Sequence, residues 1–187
     1  MRASPTRSLI LLCIAGAALA GCGAGRVIAR DPTPAYSPAE ASYAASGRDL
    51  RVTVQGDPFG GDRQRLTAAV VQALQGTIMG VATNFTATPG PTARRDYGVA
   101  VVFNPTTPVL GSEICGGVPV PTAPPSPGAP MRVEAAFCRG GALTSSFGTL
   151  EGATGPDDPD FRGFIASLGR SLFPPARVES CGGVPDC

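Results

Sequence analysis

The chain has 187 residues with 15 basic and 14 acidic side chains; every basic one is arginine, and there is no histidine, lysine or tryptophan. The absence of histidine and lysine excludes Ser-His-Asp and Cys-His catalytic sites, Ser-Lys pairs, Schiff-base lysines and histidine-ligated zinc. Arginine cannot replace these residues as a general base, because it stays protonated. The formal net charge of +1 offers no excess of cations for a polyanion, so a nucleic-acid partner is not expected.

The first 21 residues have the pattern of an export signal. Arg2 and Arg7 precede the uncharged stretch 9–20, which is shorter than the roughly 20 residues that a membrane-spanning helix needs. The stretch ends in Leu19-Ala20-Gly21-Cys22, which resembles the lipobox of bacterial lipoproteins. This resemblance implies that residues 1–21 are a signal peptide, that lipid is attached to Cys22 and that the protein is anchored to a membrane.

The residue after the anchor bears on which membrane is used. Gly23 stands where some inner-membrane lipoproteins carry Asp, so the resemblance favours the periplasmic face of the outer membrane. An alternative is ordinary secretory cleavage after Ala18-Leu19-Ala20, which would leave Cys22 as a free thiol.

The cysteine count favours the lipoprotein interpretation. Once Cys13 leaves with the signal and Cys22 is acylated, an even number remains, as expected in an oxidising compartment. We expect disulfide bonds between neighbours in the sequence, Cys115 with Cys138 and Cys181 with Cys187. A metal site is the competing interpretation, but these spacings are not those of a zinc site, and we predict no metal and no cofactor.

The segment after the lipobox is predicted to be a tether. Residues 22–48 contain three prolines and many small residues, and they show no sustained periodicity, so we expect a flexible link between the membrane and a domain spanning 49–187. The alternative is that Tyr36 and Tyr43 dock on a partner or on the domain itself.

The domain begins with a strand and a helix. Leu50, Val52 and Val54 alternate with polar residues, which predicts a strand with one buried face, and residues 56–61 then form a turn. Asp62 is a helix cap, and the helix after it carries an apolar stripe of Leu66, Ala69, Val70, Ala73 and Leu74.

Three further strands and a long loop are expected next. The apolar run 99–103 predicts a central strand that is buried on both faces, whereas residues 104–130 are rich in proline and form a loop. The strand ending at Cys138 continues through a hairpin turn at 139–141 into another strand.

A second helix closes the domain. Asp158 caps it, Pro159 takes its first position, and its apolar stripe consists of Phe161, Phe164, Ile165, Leu168 and Leu172. The order β-α-β-β-β-α predicts an α+β fold with a single, mainly antiparallel sheet and two helices on one face. This order resembles small envelope lipoprotein domains in architecture, but no motif assigns residues 49–187 to a family.

The function expected from these features is that of a non-catalytic envelope lipoprotein, an accessory or scaffold that binds another envelope protein. A small-ligand carrier is one alternative. A glycan-acting enzyme is another, and it would need two facing carboxylates from among Asp57, Asp62, Glu134 and Glu151. Because each of these acids has an ordinary role in a turn, a cap or a strand, we predict no catalytic residues.

Overall fold

A computed structural model describes residues 25–175 of the chain. Within this part, the chain forms six strands and four helices in the order β1 (Gly25–Ala29), α1 (Pro38–Ala45), β2 (Arg48–Gln55), α2 (Arg63–Leu74), β3 (Thr83–Thr86), β4 (Tyr97–Phe103), α3 (Gly111–Cys115), β5 (Met131–Arg139), β6 (Gly141–Leu150) and α4 (Pro159–Leu172).

The strands form one open sheet in the order β1-β6-β5-β4-β2-β3. The pairs β1–β6, β6–β5 and β5–β4 are antiparallel, whereas β4–β2 and β2–β3 are parallel. The α+β class and the mainly antiparallel sheet are therefore confirmed. The parallel pairs arise because the chain leaves β2 through α2, and a helical crossover returns it in the same direction.

The two predicted helices are confirmed, and they cover one face of the sheet. Asp62 and Asp158 accept hydrogen bonds from backbone N–H groups in the first turns of α2 and α4. The apolar stripes of both helices are buried in the main core, apart from the partly buried Ala73. Because a cap and a stripe are local features, the sequence alone was sufficient to locate these helices.

The central strand β4 is buried on both faces, as its apolar run predicted. Val99, Val101 and Phe103 belong to the main core, whereas Ala100 and Val102 belong to a smaller core with Ile114 of α3. The two predicted helices thus share one face, and an additional helix that was not predicted lies on the other. The short helix α3 covers the opposite face, and it lies inside the proline-rich stretch that was expected to be a loop throughout.

The expected tether is also corrected. Residues 25–29 form β1, which pairs with the edge of β6 that is not paired with β5. In α1, the buried residues Ala41, Ala44 and Ala45 pack in the main core. Ser37 caps α1 by accepting a hydrogen bond from the Glu40 N–H at 3.1 Å. The alanine-rich segment resembled a linker because small side chains give a weak periodic signal, although they allow a helix to pack closely.

The hairpin between β5 and β6 is confirmed, with Gly140 at a φ of 69° between the two strands. Such a backbone conformation favours glycine. The strand β3 was not predicted. Among residues 25–175, no helix combines the length and the apolar character needed to span a bilayer.

Candidate functional site

A cleft of about 570 Å³ opens on the sheet face that carries α3. Its floor is low because Gly98 and Ala100 of β4 have small side chains. Arg51, Thr53 and Gln55 of β2 line it, as do residues of α3 and β5.

A disulfide bond between Cys115 and Cys138 contributes to the lining of the cleft. It joins α3 to β5, with the two Cα atoms 5.5 Å apart, and both residues are half-buried. This is the pair that the sequence analysis favoured. The other expected pair, Cys181 with Cys187, and Cys22, the residue expected to carry lipid, lie outside the described residues.

A second cavity of about 460 Å³ continues the cleft past the start of β4. The two cavities share Arg95, Asp96, Tyr97 and Arg139. The lining of both together contains one carboxylate, that of Asp96, and five guanidinium groups, those of Arg48, Arg51, Arg94, Arg95 and Arg139. We call the two cavities together the arginine cleft. It concentrates positive charge, although residues 25–175 contain 12 basic and 12 acidic side chains.

Two of these arginines have partners within the domain. Arg139 donates to Glu40, which also accepts from the Tyr97 hydroxyl. The Tyr97 hydrogen bond, followed by the charge of Arg139, lowers the pKa of Glu40. Arg94 lies over the Tyr43 ring at 3.4 Å from its centroid, and its Nε donates to the Tyr43 carbonyl.

The other three arginines, Arg48, Arg51 and Arg95, have no side-chain hydrogen bond or ion pair with any residue in the described part of the chain. Arg51 and Arg95 are also exposed. An unpaired guanidinium offers five N–H donors in a planar fork, a geometry that fits a carboxylate or a phosphate.

The loop that carries Arg95 is fixed to β2. The Asp49 carboxylate accepts from the Gly90 N–H at 2.7 Å and from Asn84 at 2.8 Å, and the Asp49 N–H donates to Thr92. The hydrogen bond from Asn84, followed by that from Gly90, lowers the pKa of Asp49. These contacts hold the arginine side of the cleft in place.

The four candidate catalytic carboxylates lie elsewhere, and three of them have structural partners. Asp57 accepts from the N–H groups of Phe59 and Gly60 in a turn, and Asp62 caps α2. Glu134 pairs with Arg30 at 2.7 Å. The exposed Glu151 lies by a separate cavity of about 540 Å³. None of the four lines the arginine cleft, and within residues 25–175 no group of three or more Cys, Asp or Glu side chains is placed to hold a metal ion.

Both tyrosines of the expected tether contact the domain. The Tyr36 hydroxyl donates to the Pro174 carbonyl at 2.8 Å, and burial raises the pKa of Tyr36 to about 12. Tyr43 meets Tyr97 edge to face, with ring centroids 6.1 Å apart. Of the two alternatives for these residues, docking on the domain is therefore the one that the structure supports.

The arginine cleft was missed by sequence reasoning. Its unpaired cations come from β2 and from the loop before β4, and a count of charges along the chain shows no cluster. The adjacent pair Arg94-Arg95 was the only local sequence feature that indicated positive charge at this place. One member of the pair, Arg94, already contacts the Tyr43 ring.

No protein-family model matches the chain, and no curated protein matches it. Two solved structures of the PelC dodecamer from Paraburkholderia phytofirmans are similar in fold. The first, a leucine-to-methionine variant, is 14% identical with a TM-score of 0.44, and the second is 13% identical with a TM-score of 0.45. Each match covers 80% of this chain and 98% of the other. Similarity at this level concerns the course of the chain and not activity or assembly.

Proposed function

We propose that the protein is a non-catalytic envelope lipoprotein, held to the membrane by lipid on Cys22, which binds another envelope component through the arginine cleft. The observation that carries the proposal is the disulfide between Cys115 and Cys138 in the lining of a charged cleft. Disulfides of this kind persist outside the reducing cytosol, and the lipobox supplies the matching anchor.

The start of β1 supports an arrangement close to the bilayer. Gly25 is three residues after Cys22 and already pairs with Leu150 of β6. Three extended residues span at most about 10 Å, so an anchor on Cys22 would hold this end of the sheet against the membrane.

The arginine cleft would then face away from the bilayer. Gly25 pairs with Leu150, which in turn pairs with Met131 at the start of β5. Tyr97 and Arg139 pair at the opposite end of the sheet, where the two cavities meet. The nine residues of β5 extend on the order of 25 Å, which places the cleft within reach of a second component of the envelope.

The anchor is tested with full-length precursor expressed in a bacterial host in the presence of an alkyne-tagged fatty acid. Wild-type protein and the matched control Cys13→Ala are expected to be labelled and to sediment with membranes. Cys22→Ala is expected to lose the label. Intact mass should show a mature chain that begins at an acylated Cys22, with Cys115 and Cys138 unreactive to thiol alkylation before reduction.

Two results would contradict this proposal. One is a mature product with an unmodified amino terminus or a label that persists in Cys22→Ala. The other is rapid alkylation of Cys115 and Cys138 in unreduced protein from cells.

A further inference from the structure

We propose that the arginine cleft binds an anionic glycan, specifically an oligosaccharide with carboxylate groups on successive sugars. This inference deepens the proposed function, since it names the class of envelope component that the cleft would take. It depends on charge, on the shape of the joined cavities and on the strands that form the floor.

The lining offers unpaired positive charge to an anion from outside the domain. Arg48, Arg51 and Arg95 face two cavities that contain a single carboxylate, and none of the three is neutralised by a partner among the described residues. Paired arginines in the same region, such as Arg139, show what an internal structural role looks like. A carboxylate can accept two parallel hydrogen bonds from each unpaired guanidinium.

The shape of the site favours an extended ligand over a single small anion. Cavities of about 570 and 460 Å³ meet at Arg95, with Arg51 in one of them and Arg48 in the other. Each cavity by itself falls in the range of about 300–1,000 Å³ that is typical of ligand sites. A chain of sugar acids could place one carboxylate in each cavity.

The floor argues against an acidic peptide. It belongs to β4 and β5, and each of these strands already pairs on both edges, so an extended peptide cannot add to the sheet there. Polar groups that suit sugar hydroxyls are present instead. Thr53 is exposed, and Gln55 uses its Oε1 to accept from the Val120 N–H at 2.8 Å, which leaves its Nε2 as a donor.

Titration calorimetry on the detergent-solubilised mature protein tests the proposal with tetragalacturonate as the probe. Galactotetraose is the neutral control, and tetraglutamate and inorganic phosphate are the competing anions. We expect tetragalacturonate to bind, its affinity to fall with added salt, and galactotetraose to bind at least tenfold more weakly. Arg51→Gln and Arg95→Gln should each weaken binding about tenfold, the range of a charged hydrogen bond.

Arg63→Gln is the matched control, because Arg63 is exposed, has no side-chain partner in the described chain and lies outside both cavities. The proposal is overturned if tetragalacturonate does not bind, if Arg63→Gln weakens binding as much as Arg51→Gln, or if tetraglutamate or phosphate binds as tightly. The same titration with Cys22→Ala separates the two proposals, since loss of the anchor leaves the cleft unchanged.

Discussion

At the scale of single residues, close contact in the sheet leaves no free space for a side chain at some glycines. A Cβ on Gly148 of β6 would lie 2.5 Å from the Arg26 carbonyl oxygen of β1 and 2.8 Å from the Phe164 ring. We expect Gly148→Ala to lower the free energy of unfolding by about 1–3 kcal/mol, because neither the strand backbone nor the packed ring can move freely.

Gly141→Ala is the control for this prediction, since no atom lies within 4 Å of its added Cβ and its φ is not positive. It should change the free energy of unfolding by less than about 1 kcal/mol. Urea unfolding measures both variants, and equal values for the two would disprove the steric explanation.

The pair of Arg30 and Glu134 is a second prediction at this scale. The Glu134 side chain is 8% exposed, and its two oxygens accept from Arg30 at 2.7 and 3.2 Å. Arg30→Met removes the partner of a buried carboxylate and should cost about 2–3 kcal/mol of folding free energy. The measurement is chemical denaturation beside Arg26→Met, which replaces an exposed arginine on β1 and should be nearly neutral.

At the scale of elements, the disulfide determines how firmly α3 is held on the sheet. This helix has only five residues, and it is joined to β5 across 23 positions of sequence. The double variant Cys115→Ala/Cys138→Ala should lose about 3 kcal/mol of stability, because the unfolded chain regains the entropy of an open loop of this length.

Hydrogen exchange gives this prediction a local readout. The amides of α3 should exchange faster in the double variant, whereas those of α2, on the other face of the sheet, should change only with global stability. Unchanged exchange in α3 would show that Ile114 and its neighbours hold the helix without the bond.

At the scale of the whole molecule, the absence of histidine shapes the dependence of stability on pH. No side chain with an ordinary pKa titrates between about pH 5 and 7.5, so the free energy of unfolding should be nearly constant there. The pKa values of Glu40, Asp49, Asp157 and Asp158 are lowered, mainly by hydrogen bonds from Tyr97, Asn84, Arg65 and the Thr154 N–H respectively.

A lowered pKa in the folded state stabilises the protein at pH values above the unfolded pKa, which is about 4 for these carboxyls. That contribution is lost as the pH falls through the folded pKa, so stability should decrease below about pH 4. Urea unfolding from pH 2.5 to 7.5 checks the curve, and Glu40→Gln should reduce the acid-dependent part. A marked slope between pH 6 and 7.5 would contradict the prediction.

The features of the fold that depend on neighbours along the chain could be predicted from the amino-acid sequence. The caps Asp62 and Asp158, the stripes of α2 and α4, the doubly buried β4 and the hairpin at Gly140 each depend on residues within about one element's length. These features were readable because periodicity and capping are local. The pairing of Cys115 with Cys138 was the favoured choice for the same reason, since the two lie close in sequence.

The contacts between distant segments could not be predicted, because they form only when the chain folds. The strand β1 pairs with β6, more than 100 residues away, and β2 lies parallel to β4 with α1 packed on the core. Short strands and alanine-rich helices are stabilised by the surface they join, and their own residues do not specify that surface. The arginine cleft arises in the same way, because folding places cations from separate segments around a floor of small residues.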